Sequence, residues 1–398
     1  MSQNNENKLV PRLRFPEFND NWNPKQICDL LEYERPDNYI VNDTNYTTEG
    51  TPVLTANKSF ILGYTEETNG ICEDIPAIIF DDFTVDKKFV DFPFKVKSSA
   101  IKILRPKGKD DLKFIFELMS LIKFEAKEHK RYYISAYQNL SIPIPKPNEQ
   151  QKIAACLSSL DDVITAESKK LEVLKEHKKG LLQNLFPQEG ETVPKLRFKE
   201  FENSGEWEER TLGEVSDNVM YGMNSAAIMF DGENKYIRIT DIDDNTRLFS
   251  PNPLTSPDGQ LDDKYFVNVG DILFARTGAS VGKSYLHQKE NGKIYFAGFL
   301  IRFTIKNANP YFIYLQTLTE KYQKWVSKTS LRSGQPGINA EEFKSYPILI
   351  SSLPEQQKIA NTLSSLDDLI NAQSQKIETL KLHKKGLLQG LFPDVNEH

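Results

Sequence analysis

The apolar residues of this chain follow two different periods. From 149 to 187 they recur at alternating steps of four and three: Ile153, Leu157, Leu160, Ile164, Leu171, Leu174, Leu181 and Leu185. That spacing is the heptad seam of a helix that pairs with another helix. Polar Glu167 and Lys178 take two seam positions. The pattern returns at 355–393 through Ile359, Leu363, Leu366, Ile370, Ile377, Leu380, Leu387 and Leu391, with Gln373 and Lys384 as the interruptions. About 35 helical residues make a rod of roughly 50 Å. Such a rod needs a partner, and each is the nearest partner of the other. Between the rods the patterning is mixed. "AIIFDDF" (77–83), "SSAIKILRP", "GDILFART" (270–277) and "YFAGFLIRFTI" read as strands. "LKFIFELMSLIKFEAKEH" and "PYFIYLQTLTEKYQKWVSK" each read as one helix. A polar loop follows each helix, then a short strand, "IPIP" or "YPILI", and a proline-marked step into the long helix.

The two rods are copies. Residues 149–187 and 355–393 agree at 29 of 39 positions, at a constant offset of 206. A second repeat, "VPRLRFPEF" at 10–18 and "VPKLRFKEF" at 193–201, has an offset of 183, and each copy precedes a tryptophan, Trp22 or Trp207. The chain is lead-in, block, helix, then all three again. The expected segments are a block at 1–148, a helix at 149–187, a second block at 188–354, and a helix with tail at 355–398. The first helix enters the second block and the second helix leaves it, so a compact block brings those ends together and makes the helices antiparallel. The duplication also places the chain start beside the end of the second helix. The fold class is α+β: two globular α/β blocks joined by two long antiparallel coiled-coil helices, with pseudo-two-fold duplication.

Composition narrows the class. The chain has 398 residues, 39% hydrophobic and 27% charged, ordinary for a soluble protein of two or three domains. No run approaches the roughly 18 apolar residues of a membrane span. The start, "MSQNNENK", lacks the apolar core of a signal peptide. Cys28, Cys72 and Cys156 are scattered, as expected of reduced thiols in a cytoplasm and without metal spacing. The net charge of −6 argues mildly against nucleic acid. Two local runs argue for it: "KVKSSAIKILRPKGK" (95–109) and "KYQKWVSKTSLRSG" (321–334), the latter with Tyr322 and Trp325 interleaved.

Candidate chemistry fails on spacing. "ARTGASVGKS" (275–284) ends like a phosphate-binding loop, but that loop needs its first glycine at 277, which is Thr277, and a helix after Ser284 where a strand is predicted. "NPYF" (309–312) lacks the second proline of a methyltransferase motif, and Pro257-Asp258 with Asp262-Asp263-Lys264 sits in a loop too tight for a nuclease metal site. No serine–histidine or cysteine–histidine pairing stands out, and no catalytic or metal residue is assigned.

Two differing blocks alternating with two near-identical helices resemble the specificity subunit of a type I restriction-modification system. The residues that carry the resemblance are "EQQKIA", "LSSLDD" and "HKKGLLQ", each present twice, the "LRF" lead-ins, "GDILFARTGASVGK", and "SGQPGIN" before the second helix. The resemblance covers essentially the whole chain and implies that each block is a target recognition domain reading one half of a bipartite, asymmetric site in double-stranded DNA. It implies that the helices set the gap and dock two methyltransferase subunits, with restriction and motor subunits joining them. S-adenosylmethionine would belong to the methyltransferases and none to this chain. The first block departs from the second after "IPAIIFDDF", where Thr84 replaces the glycine-rich loop.

Candidate base contacts are Arg276, Thr277, Ser280, Lys283, Arg332, Ser333 and Gln335 in the second block, and Lys130, Arg131, Tyr133 and Gln138 in the first. Arginine and lysine suit guanine, and glutamine suits adenine. Lys95, Lys97, Lys102, Lys324 and Lys328 are the candidate phosphate contacts. The competing reading is a coiled-coil scaffold whose blocks bind proteins and no DNA.

Overall fold

The computed structural model describes residues 9–56, 59–128, 130–288, 292–332 and 334–394. It divides into two units, Met1–Lys169 with Ser374–His398, and Lys170–Gln373. Each holds one block, the first part of one long helix and the last part of the other.

In the first unit the central sheet is antiparallel, in the order Leu31–Glu34, Ile101–Pro106, Ala77–Asp81, Lys87–Val90. Ala77–Asp81 is buried throughout because both of its faces are covered. Ile78 and Phe80 point into a core with Trp22, Phe114 and Ile115. Ala77 and Ile79 point into a second core with Leu54, Phe94 and Val96. That is the period-two alternation of a strand. A three-stranded sheet lies in the second core, its Thr51–Leu54 strand flanked by Ile61–Thr65 and Lys95–Val96. The strand Ser141–Ile144 pairs with Asn23–Gln26 and leads to the long helix.

The second unit repeats the plan. Its sheet runs Ser216–Tyr221, Leu300–Ile305, Ile272–Ala275, Ser284–Leu286. Taken in chain order, both sheets place the first, fourth, second and third strands side by side. Ile272 and Phe274 face one core, and Leu273 and Ala275 the other. Glu208–Thr211 pairs with Pro347–Ile350 before the second long helix. The blocks share a fold with little sequence in common.

The long helices are Pro147–Leu185 and Leu353–Leu391. Seam positions are buried or half-buried along both, including polar Glu167, Lys178, Gln373 and Lys384. Within the first unit, Lys384 reaches Asp161 at 2.6 Å and Lys376 reaches Glu167 at 2.5 Å, so one number rises as the other falls and the segments are antiparallel. In the second unit Lys178 pairs with Asp367, the same pair displaced by 206. Ile153 and Leu157 also belong to the first domain core, as Ile359 and Leu363 do to the second. Each helix start is therefore anchored in its own block.

The repeated motifs are clamps. Arg14 of "LRF" grips Glu149 of "EQQ" through two 2.7 Å bonds, and Trp22 Nε1 donates to the same carboxylate. Arg197 grips Glu355 in the same way at 2.7 and 2.8 Å. Gln150 accepts from the Asp111 N–H, and Gln356 from the Asn309 N–H, which locks the N-cap of an earlier helix of the block to the long one. Leu13 N–H donates to the Gly390 carbonyl and Leu196 N–H to the Asn184 carbonyl, so the first lead-in lies by the end of the second helix.

Two expected helices are shorter than their sequence patterns. The first spans Leu112–Leu121 and stops there; Phe124 beyond it packs on Tyr132 and Tyr137 instead of continuing the helix. The second is two helices, Pro310–Gln316 and Glu320–Thr329, because the Thr319 side chain caps a new start by accepting from Tyr322 N–H. The strand expected at "YFAGFLIRFTI" is also two, Ile294–Phe296 and Leu300–Ile305, parted by a turn at Gly298.

Candidate nucleic-acid interface

In the second domain three loops converge beyond the end of the strand Ile272–Ala275. Arg276 N–H donates to the Phe299 carbonyl at 3.0 Å. Ile338 N–H donates to the Arg276 carbonyl at 2.9 Å, and Gly278 N–H to the Pro336 carbonyl at 3.0 Å. "ARTGAS" and "GQPGI" are thus zipped together, and the turn at 297–299 is fastened to Arg276 and, through Gly298 N–H, to the Met223 carbonyl. Glycine is required here for shape: Gly278 has φ +75°, and a Cβ on Gly222 would lie 2.2 Å from the Ala297 carbonyl oxygen.

The loops line an open cavity of about 750 Å³. Polar groups from Asn224, Arg238, Arg276, Thr277, Ser280 and Gln335 surround it, with Phe299 at the edge. Arg238 is neutralised by Asp241 at 2.8 Å. Arg276 lies over the Tyr221 ring, 5.0 Å from its centroid, and has no anionic partner among the described residues. Tyr236 in the wall is held in its neutral form, its pKa raised by burial, and its hydroxyl donates to the Met223 and Ser225 carbonyls. The cavity therefore offers an uncompensated arginine, hydroxyl and amide groups and an exposed ring, a set suited to a polyanion with hydrogen-bonding edges.

The same place in the first domain has opposite chemistry. Asp82 N–H donates to the Ala100 carbonyl, and Tyr132 N–H to the Asp82 carbonyl, matching the bonds made by Arg276. Asp82 is 1% exposed, lies 3.5 Å from Lys102 Nζ, and accepts from Tyr133 N–H. An internal ion pair closes the position that an arginine opens in the second domain.

Four expected contacts are corrected by burial. Lys95 is buried, donates to the Asn69 carbonyl and pairs with Glu67 at 2.9 Å. Lys102 is held by Asp82 as above. Tyr133 is fully buried among Tyr33 and Phe80. Lys283, the lysine of the apparent phosphate loop, is buried, donates to the Ile242 carbonyl and pairs with Asp244. The strand Ser284–Leu286 follows it directly. Lys95 and Lys102 sit in strands buried on both faces, and a buried ammonium needs a fixed acceptor. Tyr322 and Trp325 likewise face the core, not a ligand.

The other candidates are at the surface. Lys97, Lys130, Arg131, Lys324, Lys328, Arg332 and Gln335 are exposed, and Gln138, Arg276, Thr277 and Ser280 half-exposed. Lys130 pairs with Glu128, Lys324 with Glu189 and Arg332 with Glu342. Ser333 lies outside the described residues. Phe299, Asn224 and Arg238 are absent from the sequence-derived set; the Ala-Gly-Phe break in an apolar run was the available signal for the first.

Comparison with known proteins agrees with this architecture. The family described as "Type I restriction modification DNA specificity domain" matches residues 19–176 and again 204–382. The chain is 38% identical to the EcoR124I/EcoR124II type I restriction enzyme specificity subunit of Escherichia coli, over 49% of this chain and 48% of that one. It is 25% identical to the MjaVIII specificity subunit of Methanocaldococcus jannaschii, over 97% and 94%. Among solved structures, the type I specificity subunit from M. genitalium superposes with a TM-score of 0.64 at 17% identity, over 97% of this chain and 99% of that one. With its domain matched twice along the chain, this protein belongs to the family of type I restriction-modification specificity subunits.

Proposed function

We propose that each domain reads one half of a bipartite, asymmetric site in double-stranded DNA. The helices set the unread gap and dock two methyltransferase subunits. Those subunits carry S-adenosylmethionine and methylate adenine, restriction and motor subunits join the same assembly, and it works in the cytoplasm. No helix among the described residues is long and apolar enough to cross a membrane.

The observation that carries the reading is one strand order used twice with different chemistry at one position: Arg276 with Phe299 in the second domain, Asp82 with Ala100 in the first. Two readers of one fold and different surfaces suit two different half-sites. The helix surfaces supply the complementary argument. Gln151, Lys152, Asp162, Ala166, His177 and Lys179 are exposed, and their counterparts Gln357, Lys358, Asp368, Ala372, His383 and Lys385 are identical and exposed. Pairing requires only the seam to persist, so repetition of the outer face suits two copies of one partner. Apolar Val163 and Leu369, 42% and 57% exposed at matching positions, add burial area to that face. A type I system whose solved structure concerns complex assembly has a chain of the same fold, with a TM-score of 0.53.

The test is selection from a random duplex library by this chain assembled with a methyltransferase subunit. The expected product is two specified blocks separated by an unspecified gap of fixed length. An intact assembly that enriches no sequence would leave the scaffold reading.

A further inference from the structure

We propose that Arg276 and Phe299 are the paired specificity determinants of the second domain, Arg276 for a guanine and Phe299 for a thymine on the neighbouring base step. The inference rests on the DNA-reading role above and deepens it to residues and bases.

The placement is fixed by the sheet. Ala275 faces Leu300 in the antiparallel pair, so Arg276 and Phe299 are the next pair outward, joined by the Arg276 N–H to Phe299 carbonyl bond. Residues directly opposite each other project from the same face with Cβ atoms about 4.5–5.5 Å apart. Successive bases along a strand are about 3.4 Å apart. One side chain can therefore meet a base while the other meets its neighbour. The turn is held firmly: Leu300 N–H donates to the Ala297 carbonyl, and Gly222 N–H to the Leu300 carbonyl. Phe299 is 60% exposed on that turn.

The chemistry selects the bases. A guanidinium is a rigid fork of donors that matches guanine O6 and N7, and phenylalanine provides an apolar contact for the thymine methyl. Arg276 is available for this. Its neighbours Arg238 and Lys283 are committed to Asp241 and Asp244, while Arg276 rests on the Tyr221 ring without an anionic partner among the described residues. Resting on a ring orients the fork while leaving its donors unused. The corresponding Asp82 is buried in its ion pair with Lys102, and Ala100 is far shorter than a phenylalanine ring, so the first half-site is read by other side chains.

The experiment uses the full chain assembled with its methyltransferase subunits and a duplex bearing the selected site. In the second half-site, guanines are replaced one at a time by 7-deazaguanine and thymines by uracil. The wild-type assembly should lose roughly fivefold in affinity at one 7-deazaguanine position, because N7 is removed and O6 stays, so part of a bidentate contact is lost, and a smaller factor at one adjacent uracil. Arg276→Ala should abolish the first sensitivity and Phe299→Ala the second. Arg276→Lys should keep the salt dependence and weaken the 7-deazaguanine effect, because the charge remains while the rigid fork that reaches O6 and N7 together does not. Variants that keep every wild-type sensitivity overturn the assignment while the DNA-reading role stands. So does an Arg276→Ala assembly weakened uniformly over all sequences with a reduced salt slope, which marks a phosphate contact. A wild-type assembly without sequence preference overturns both.

Discussion

At the scale of single residues, repeated motifs and functional chemistry separate. The identical residues of the lead-ins and helix starts are internal clamps, and the site residues lie where the blocks differ. The Glu149 side chain is 2% exposed and satisfies both the Arg14 guanidinium and Trp22 Nε1. Glu149→Ala leaves the largely buried Arg14 guanidinium with only the Asp20 carbonyl, and the Trp22 indole N–H without its acceptor. Losing one partner of such a pair costs about 3–5 kcal/mol. The first domain should melt earlier in Glu149→Ala, the second in Glu355→Ala, each seen by hydrogen exchange over its own block. Equal protection in wild type and variants would show that the clamp adds nothing. Lys283 is the instructive failure of a motif. Gly282 has φ +82°, and a Cβ there would lie 2.6 Å from Val326, so the glycine is set by packing against a helix. The lysine beside it is tied to Asp244. The lysine of Gly-Lys-Ser is thus committed inside the fold.

At the scale of elements, the long helices are the part most open to testing as a ruler. A helix of 39 residues spans about 58 Å. Inserting four residues after Leu171 adds about 6 Å, close to two base steps. The gap in the recognised sequence should lengthen accordingly, as read by the same duplex selection; an unchanged gap would rule out the ruler. The helices were legible because their period is strong, runs for many turns and occurs twice. The block interiors were less so, for local reasons. Lys95 and Lys102 counted as a basic surface run, yet their partners Glu67 and Asp82 lie 28 and 20 residues away (95 − 67 and 102 − 82), beyond any sequence window. The apolar run from Pro310 looked continuous until Thr319 capped a new helix within it. Arg276 and Gln335, which line the cavity, were legible as loop residues, whereas Phe299 beside them lay inside a strand pattern that breaks at Gly298.

At the scale of the whole molecule, duplication and divergence carry the account. The Arg–Glu clamps, the apolar seam and part of the outer helix surface recur, while the two cavity positions exchange an arginine and a phenylalanine for a buried aspartate and an alanine. A net charge of −6 is compatible with the proposed DNA-reading role because a binder needs only a local basic group, here Arg276, which has no anionic partner among the described residues. The measurement that tests this most directly is a genome-wide map of methylated adenines. It compares cells expressing a methyltransferase subunit with this chain and with a version whose second block comes from another family member. The account predicts a two-part motif in which the exchange rewrites one half and leaves the other half and the gap unchanged. Methylation independent of this chain, or a motif whose halves change together, would contradict it.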